Sequence, residues 1–193
     1  FFLIGRRAAR HAPLVRDLVR RGHSAENHTH RHRYGFAALP FGAMRREIAA
    51  AQDAIADASG EAPRFFRPPA GLRSPLLDPN LAAAGLLHMS WTRRGYDTMR
   101  RDPDALLRRL GRGLAAGDVL LLHDGNAAPA RGSGAPVVLE ALPGLLRLIA
   151  DAGLRAVSLP RAMPEKGAGG DGAGGAAGEA AASRPGPAAC ASR

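Results

Sequence analysis

The sequence is poor in several residue types, and each shortage excludes a class of structure. Cys190 is the only cysteine among 193 residues, so an internal disulfide is impossible. No apolar run approaches the roughly 18 residues of a membrane-spanning helix. No basic segment precedes an apolar one as it would in a signal peptide. The chain opens on Phe1 without an initiator methionine, and its location, cytoplasm or cell envelope, stays open.

Lysine is almost absent, which affects how the positive charge is interpreted. Lys166 is the only lysine among 27 basic residues, and the formal net charge is +10. Such a charge is typical of nucleic-acid binding proteins, whose affinity falls steeply with salt. However, aromatic residues make up 5% of the chain and do not alternate with the arginines, so platforms for base stacking are missing. We therefore predict a solvated arginine-rich surface and no nucleic-acid partner.

The rest of the sequence alternates short apolar strands with amphipathic helices. Six strands are predicted, at residues 1–4, 24–26, 64–66, 86–91, 118–122 and 155–159. Helices are predicted at residues 8–21, 42–59, 78–84, 103–116 and 137–152. Because a helix separates most neighbouring strands, the strands are expected to be parallel, which indicates an α/β fold. One domain is expected over 1–161, followed by a disordered tail over 162–193, where Gly, Ala, Pro and Ser dominate.

Polar and aromatic side chains follow four successive predicted strands. In parallel α/β folds the carboxyl ends of the strands meet at one rim, and active sites are built there. Four strand ends carrying such side chains therefore predict a site at this rim. The residues at these strand ends are His28 and His32, the segments 67–71 and 91–97, and His123 with Asp124.

The segment Gly22–His32, GHSAENHTHRH, carries four of the seven histidines and is the candidate metal motif. His28 and His32 stand four residues apart, so one helical turn would place both on one face, with His30 pointing outward. Neutral imidazoles suit zinc or a similar divalent metal. No glutamate follows the first histidine, which excludes the His-Glu-x-x-His metalloprotease pattern. Two histidines leave such a site one protein ligand short.

Four segments resemble the motifs of the polysaccharide deacetylases and follow one another along the chain in the family's order. GHSAENHTHRH is similar to the family's metal motif, FRPPAG to its Arg-x-Pro motif, and LLLHDG to its closing Leu-x-His motif, while SWTRRGYDT is a looser match to the fourth motif. The resemblance covers 1–160 and implies the chitooligosaccharide deacetylase homology domain, of the carbohydrate esterase type. It implies a distorted (β/α) barrel of about seven strands. The implied reaction hydrolyses N-acetyl groups on a polysaccharide or an N-acetylated amino sugar and releases acetate.

The resemblance also assigns roles to the residues at the rim. It implies that His28 and His32 bind a divalent metal, Zn²⁺ in the first place, with Co²⁺ or Ni²⁺ as alternatives. His123 is implied to protonate the departing amine, with Asp97 orienting its imidazole, and Arg67 is implied to orient a catalytic aspartate. The residues implied to line the substrate cleft are Trp91 and Leu122, as a slot for the acetyl methyl group, with Pro69 and Tyr96.

The sequence departs from the family at its beginning. The family's first strand ends in a Thr-Phe-Asp-Asp motif, which supplies the general base and the third metal ligand, and the sequence lacks this motif. Since Phe1–Gly5 resembles the family's second strand, we expect the chain to start after the first strand and helix. As given, it is expected to be inactive. The alternative is a non-catalytic carbohydrate-binding relative. Either protein would bind an N-acetylated glycan, and the oligomeric state is not predicted.

Overall fold

The computed structural model describes residues 1–164, and its elements alternate as the sequence predicts. The strands are β1 (Phe2–Leu3), β2 (Glu26–Asn27), β3 (Phe65–Phe66), β4 (Leu87–His88), β5 (Arg93–Arg94) and β6 (Leu120–Leu121). The α-helices are α1 (Gly5–Arg10), α2 (Ala12–Arg20), α3 (Phe41–Ser59), α4 (Leu77–Ala83), α5 (Pro103–Gly111), α6 (Val137–Asp151) and α7 (Leu159–Ala162). Two 3₁₀ turns lie at Phe36–Ala38 and Pro69–Gly71.

Within residues 1–164, the pairs formed by the six strands are all parallel, as predicted. Strands β1 to β4 form one sheet in chain order, with Asn27 in register with Phe66 on the neighbouring strand. Strands β5 and β6 form a second sheet, in which Arg93 pairs with Leu120. Parallel strands direct the loops after them toward one rim, so the residues following β2, β3 and β6 are positioned to form a common site.

Three clusters of buried apolar residues hold the helices against the strands. Helix α3 belongs to two of them: Met44 and Ile48 pack with residues from β3 and α4, whereas Ala51 and Ile55 pack with α1 and α2. The third cluster joins α5, α6 and the second sheet. Its buried members are Leu106, Leu110, Ala130, Val137, Ala141, Leu145 and Ile149.

The first predicted helix, over residues 8–21, is interrupted in the structure. It consists of α1 and α2, which are separated by His11 with φ of −125° and ψ of 37°. Pro13 explains the break, because proline lacks the N–H that would continue the α1 hydrogen-bond ladder and is well tolerated in the first turn of a new helix.

The strand predictions were wrong at two places. One strand was missed: β5 forms at Arg93–Arg94, where no strand was predicted. The predicted strand at 155–159 was wrong: residues 154–158 have no regular structure, and α7 follows with Pro160 in its first turn. Ala156 and Val157, the apolar residues that suggested a strand, are exposed, so they bury little surface.

Residues Phe1–Met163 form one compact unit. The predicted tail lies outside the described residues from residue 165 onward, and its disorder stays a prediction. Within residues 1–164, no helix has both the length and the apolar character that crossing a membrane would require.

Candidate active site

A buried network of side-chain hydrogen bonds shapes the loop after β2. The Asn27 side chain is completely buried, and its amide donates to the carbonyl oxygen of Ile48 and to Gln52 Oε1, both at 3.0 Å. Its Oδ1 accepts the backbone N–H of Thr29 at 3.0 Å. The Thr29 hydroxyl in turn accepts the backbone N–H of His32 at 3.1 Å. Asn27 and Thr29 thus fix the path of the chain between the two candidate metal ligands.

His28 and His32 approach each other through this loop and not through a helical turn. Their ring centroids are 4.8 Å apart. Thr29 and His32 have positive φ values of 64° and 54°, which a right-handed helix cannot contain. The predicted pairing of the two rings was correct, but its predicted geometry was wrong, because local side-chain hydrogen bonds compete with helix formation in this segment.

The hydrogen bond of His28 fixes which of its ring nitrogens is available. Nδ1 lies 2.6 Å from the carbonyl oxygen of Arg67, which can only accept, so Nδ1 carries the proton and Nε2 keeps its lone pair. Burial lowers the pKa of His28 to about 4 and also lowers the pKa of His32. Both imidazoles are therefore neutral at pH 7, which is the form that binds a metal.

The third histidine of the motif faces elsewhere. His30 was predicted to point outward, but its Nδ1 is buried without a hydrogen-bond partner in the described residues. A Cβ on Gly5 would lie 2.9 Å from this atom and 2.7 Å from the Ala51 Cα, so glycine is required at the start of α1. Among residues 1–164, no group of three His, Cys, Asp or Glu side chains is placed to hold a metal ion. The two rings thus fit a divalent metal in chemistry but supply part of its ligand set.

His123 and Asp97 form a dyad at the end of β6. The Asp97 side chain is fully buried and accepts two hydrogen bonds from His123, one from the backbone N–H at 2.6 Å and one from ring Nδ1 at 3.0 Å. A carboxylate fixes the Nδ1–H form of the imidazole, as in catalytic triads. Nε2 is left as the atom that can exchange a proton with a substrate. Tyr96, with φ of 59°, makes the backbone turn that brings Asp97 beneath His123.

The dyad and the histidine pair belong to one electrostatic environment. Burial is the main cause of the lowered pKa of His28 and of His32, and charge on His123 is a smaller cause in both. The three imidazoles are thus near enough to interact electrostatically across the space at this rim, where loops after parallel strands meet.

Arg67 is buried beside this space without a carboxylate partner in the described residues. Its side chain donates from Nε to the carbonyl oxygen of Met89 at 3.1 Å and from Nη2 to that of Ser90 at 2.9 Å. The guanidinium carbon lies 4.0 Å from the centroid of the Phe2 ring. Burial lowers the pKa of Arg67 to about 10. Its carbonyl oxygen anchors His28, so this residue positions the metal motif even without an aspartate to orient.

The residues expected to line the substrate cleft differ in their exposure. Trp91 packs over the 3₁₀ turn at Pro69–Gly71, where a Cβ on Gly71 would overlap its ring. Pro69, the first residue of this turn, is buried. Leu122 is half-buried: it packs against the third apolar cluster and remains partly exposed at the rim.

Tyr96 has different surroundings from those expected of a sugar-stacking residue. The guanidinium carbons of Arg94 and Arg109 lie 4.7 and 4.6 Å from the centroid of its ring. These contacts were missed by sequence reasoning, as were the loop-shaping roles of Asn27 and Thr29. The Asn-x-Thr spacing within the histidine motif is the signal for the latter, because both residue types form local side-chain turns.

Comparisons with known proteins agree with this arrangement. A family model described as polysaccharide deacetylase matches residues 1–88. The chain is 31% identical over 166 residues to the chitooligosaccharide deacetylase of Sinorhizobium fredii, and the match covers 83% of this chain and 77% of that protein. The chain belongs to the polysaccharide deacetylase family. The family resemblance predicted from the motifs is therefore confirmed.

Solved structures share the fold. A family 4 carbohydrate esterase from Streptomyces lividans, in complex with acetate, superimposes with a TM-score of 0.72 at 32% identity, covering 80% of this chain and 75% of that chain. A family 4 acetyl xylan esterase from Clostridium thermocellum, in complex with a cobalt ion, gives 0.72 at 25% identity, covering 83% and 74%. A family 4 pseudoenzyme from Bacillus anthracis gives 0.73 at 22% identity, covering 83% and 53%. The predicted fold class, that of the distorted barrels, is confirmed.

Proposed function

We propose that this chain carries the catalytic site of a metal-dependent deacetylase that removes N-acetyl groups from a glycan and releases acetate. The observation that carries the proposal is the pairing of two neutral imidazoles, His28 and His32, with a buried Asp97–His123 dyad at one rim. Membership of the polysaccharide deacetylase family supports this reaction class.

His28 and His32 would hold the divalent metal, and we propose zinc because its preferred ligands include neutral imidazole nitrogens. A bound metal of this kind supplies Lewis-acid chemistry, acidifying water and polarising an acetyl carbonyl. The chain's own contribution is to present His28 Nε2 in a fixed orientation, since Nδ1 is tied to the Arg67 carbonyl oxygen. Such outer hydrogen bonds commonly change metal affinity by about 10- to 100-fold.

His123 would supply the proton for the leaving group. Hydrolysis adds a water oxygen to the acetyl carbon, breaks the amide C–N bond, and requires a proton on the departing amine nitrogen. With Nδ1 held by Asp97, the proton would come from His123 Nε2. Asp97 would stabilise the imidazolium before transfer and keep the ring oriented afterwards. Arg67 would act as a positioning residue for His28, and Trp91 with Leu122 would border the acetyl group.

The remaining requirement is a base for the attacking water. Asp97 is occupied by His123, and the described residues place no further carboxylate with the two histidines. Loss of a general base commonly costs a factor of about 10² to 10⁴ in rate. We therefore propose that the chain as given binds its glycan and metal but turns over slowly. The same observation favours a second candidate, a non-catalytic glycan-binding relative of the deacetylases.

The test measures acetate release from N-acetylglucosamine oligomers with added zinc or cobalt. It compares the chain as given with the same chain extended by any coding sequence found directly upstream of Phe1 in its gene. Metal-dependent turnover in either form supports the enzyme. Turnover should be abolished by His123→Asn and retained by His11→Asn, a matched change at an exposed histidine between α1 and α2. Glycan binding without turnover in both forms would overturn the enzyme in favour of the binding protein.

A further inference from the structure

An arginine-rich groove of about 590 Å³ lies between β5 and helix α5. Its lining contains no carboxylate and no aromatic side chain. The lining residues are Thr92, Arg93, Arg94, Arg100, Ala105, Arg108, Arg109 and Arg112. The proposed function gives none of these arginines a role.

Carboxylates of the described residues pair with two of the six arginines. Arg93 pairs with Asp118, and Arg108 lies 3.8 Å from a carboxylate oxygen of Asp102. No ion pair within residues 1–164 involves the other four, which are Arg94, Arg100, Arg109 and Arg112. Like charges gathered in one concave surface raise the local positive potential and attract anions. The groove is therefore more than the diffuse arginine-rich surface predicted from the composition.

Part of this groove is ordered before any ligand binds. Arg109 Nε donates to the carbonyl oxygen of Arg94 at 3.0 Å, and both guanidinium groups lie over the Tyr96 ring. Cation–π contacts of this kind hold a guanidinium in place without neutralising its charge. The Nε of Arg94 is buried and has no hydrogen-bond partner in the described residues. An anion that reached Arg94 would thus find a donor already desolvated and oriented.

Trp91 links the groove to the candidate active site, because Arg94 of the groove and Arg67 of the site both lie near its ring. The guanidinium carbon of Arg94 lies 5.8 Å from the centroid of the Trp91 ring, and Arg67 lies at the same distance from that ring. Tyr96, whose ring contacts the guanidinium groups of Arg94 and Arg109, directly precedes Asp97 of the dyad. A ligand extended along this surface would contact both places.

We infer that the glycan bound by this chain is acidic, and that the arginine groove binds its carboxylate or sulfate groups while the N-acetyl group lies at His123; this inference rests on the proposed function. Guanidinium groups bind such oxyanions through paired N–H donors. A nucleic acid fits less well, because stacking needs an open aromatic face and two arginines already cover Tyr96.

The experiment measures binding by isothermal titration calorimetry in the presence of a chelator, so that it does not depend on metal or turnover. The probes are a neutral chitin hexamer, a carboxymethylated hexamer, an O-sulfated hexamer and a single-stranded oligothymidylate of similar charge. At an ionic strength of about 0.05 M, at least one acidic hexamer should bind about tenfold more tightly than the neutral one. The stronger of the two acidic ligands identifies the anionic group.

A matched pair of charge variants locates the binding. Arg100→Gln with Arg112→Gln removes two exposed charges from the groove, whereas Arg10→Gln with Arg16→Gln removes two exposed charges from α1 and α2. The groove variant should lose about tenfold in affinity for the acidic hexamer, and the control less than about twofold.

Three results would overturn the inference: equal binding of neutral and acidic hexamers, equal losses in the two double variants, or tighter binding of the oligothymidylate. All of them are read in the absence of turnover. Failure of the acetate-release assay is therefore a separate result from failure of this binding assay.

Discussion

The two halves of the candidate site are completed to different degrees. On the first sheet, His28 and His32 are held by a buried network through Asn27 and Thr29, yet the described residues bring them no third ligand. On the second sheet, His123 has the buried carboxylate that it needs, and both hydrogen bonds of the dyad are formed. The first half is thus an ordered but partial set of the proposed metal ligands, whereas the second is a fully hydrogen-bonded pair suited to the proton transfer that we propose.

This difference shows that a loop can be held in one conformation by its hydrogen bonds even when its set of functional side chains is incomplete. The loop after β2 contains two non-glycine residues at positive φ, a conformation that costs of order 1–3 kcal/mol per residue and persists when surrounding contacts impose it. The hydrogen bonds of Asn27 and Thr29 are such contacts, and they are formed although the described residues provide only two of the proposed metal ligands. Substitutions in each half should therefore affect different measurements.

The largest effect is expected from Asp97→Asn. An asparagine cannot accept from His123 in the same way as the carboxylate and favours the wrong imidazole tautomer, so turnover should fall by a factor of about 10⁴ in whichever form of the protein is active. Zinc affinity, measured by titration calorimetry, should stay within about twofold, because the metal ligands lie on the other sheet. Nitrogen NMR of the histidine rings would detect the tautomer change directly. A parallel loss of zinc affinity would mean that the two halves are not separable.

The second effect concerns the loop network and is expected in stability. Asn27→Ala removes a side chain that makes three hydrogen bonds and leaves buried partners unsatisfied, which should lower the free energy of unfolding by about 2 to 3 kcal/mol. Urea denaturation would measure this loss, with Asn126→Ala, at an exposed loop position, as the matched control. Equal effects of the two substitutions would contradict the role assigned to the network.

The metal pair gives the third prediction. His28→Ala and His32→Ala should each weaken zinc binding by at least about tenfold, because each removes one of the two imidazole ligands. His30→Ala should change zinc affinity little, since its ring is directed toward Gly5. Titration calorimetry with the three variants decides this. Equal losses at all three positions would indicate a loose histidine cluster.

Much of this arrangement could be predicted from sequence because it depends on local patterns. Short apolar runs separated by helical periodicity predicted the parallel strands and hence a common rim for His28, Arg67 and His123. The motif order predicted the family. The geometry of the histidine loop could not be predicted, because spacing alone does not reveal that Asn27 and Thr29 satisfy the backbone in a non-helical turn.

Long-range contacts explain the other failures. Strand β5 was not predicted because it consists of two arginines and has no apolar run, and it pairs with β6 through contacts between residues that are far apart in sequence. The arginine groove likewise depends on packing β5 against α5, so the composition could indicate only a diffuse positive surface. Local periodicity carries no information about such packing.

The smallest effect is expected from Asp118, which lies just before β6, and it concerns how the free energy of unfolding depends on pH. Asp118 accepts hydrogen bonds from Thr92, from the backbone N–H of Ala115 and from Arg93, and these lower its pKa to about 2 from the usual 3.8. A carboxyl group whose pKa is lower in the folded state stabilises the fold above its unfolded pKa and loses that contribution as the pH falls through the folded value. The stabilisation from Asp118 should therefore be complete above about pH 5 and disappear near pH 2.

Comparing Asp118→Asn with the unaltered chain isolates this group from the other carboxylates, which titrate in both proteins. The variant should have the lower urea midpoint at pH 7, and the difference should shrink toward zero near pH 2, where the carboxyl of the unaltered chain is becoming protonated. Zinc affinity should be unchanged, because the substitution lies on the sheet that does not carry the metal pair. A difference in midpoint that is constant over this range would mean that Asp118 acts through its neutral hydrogen bonds and not through its charge.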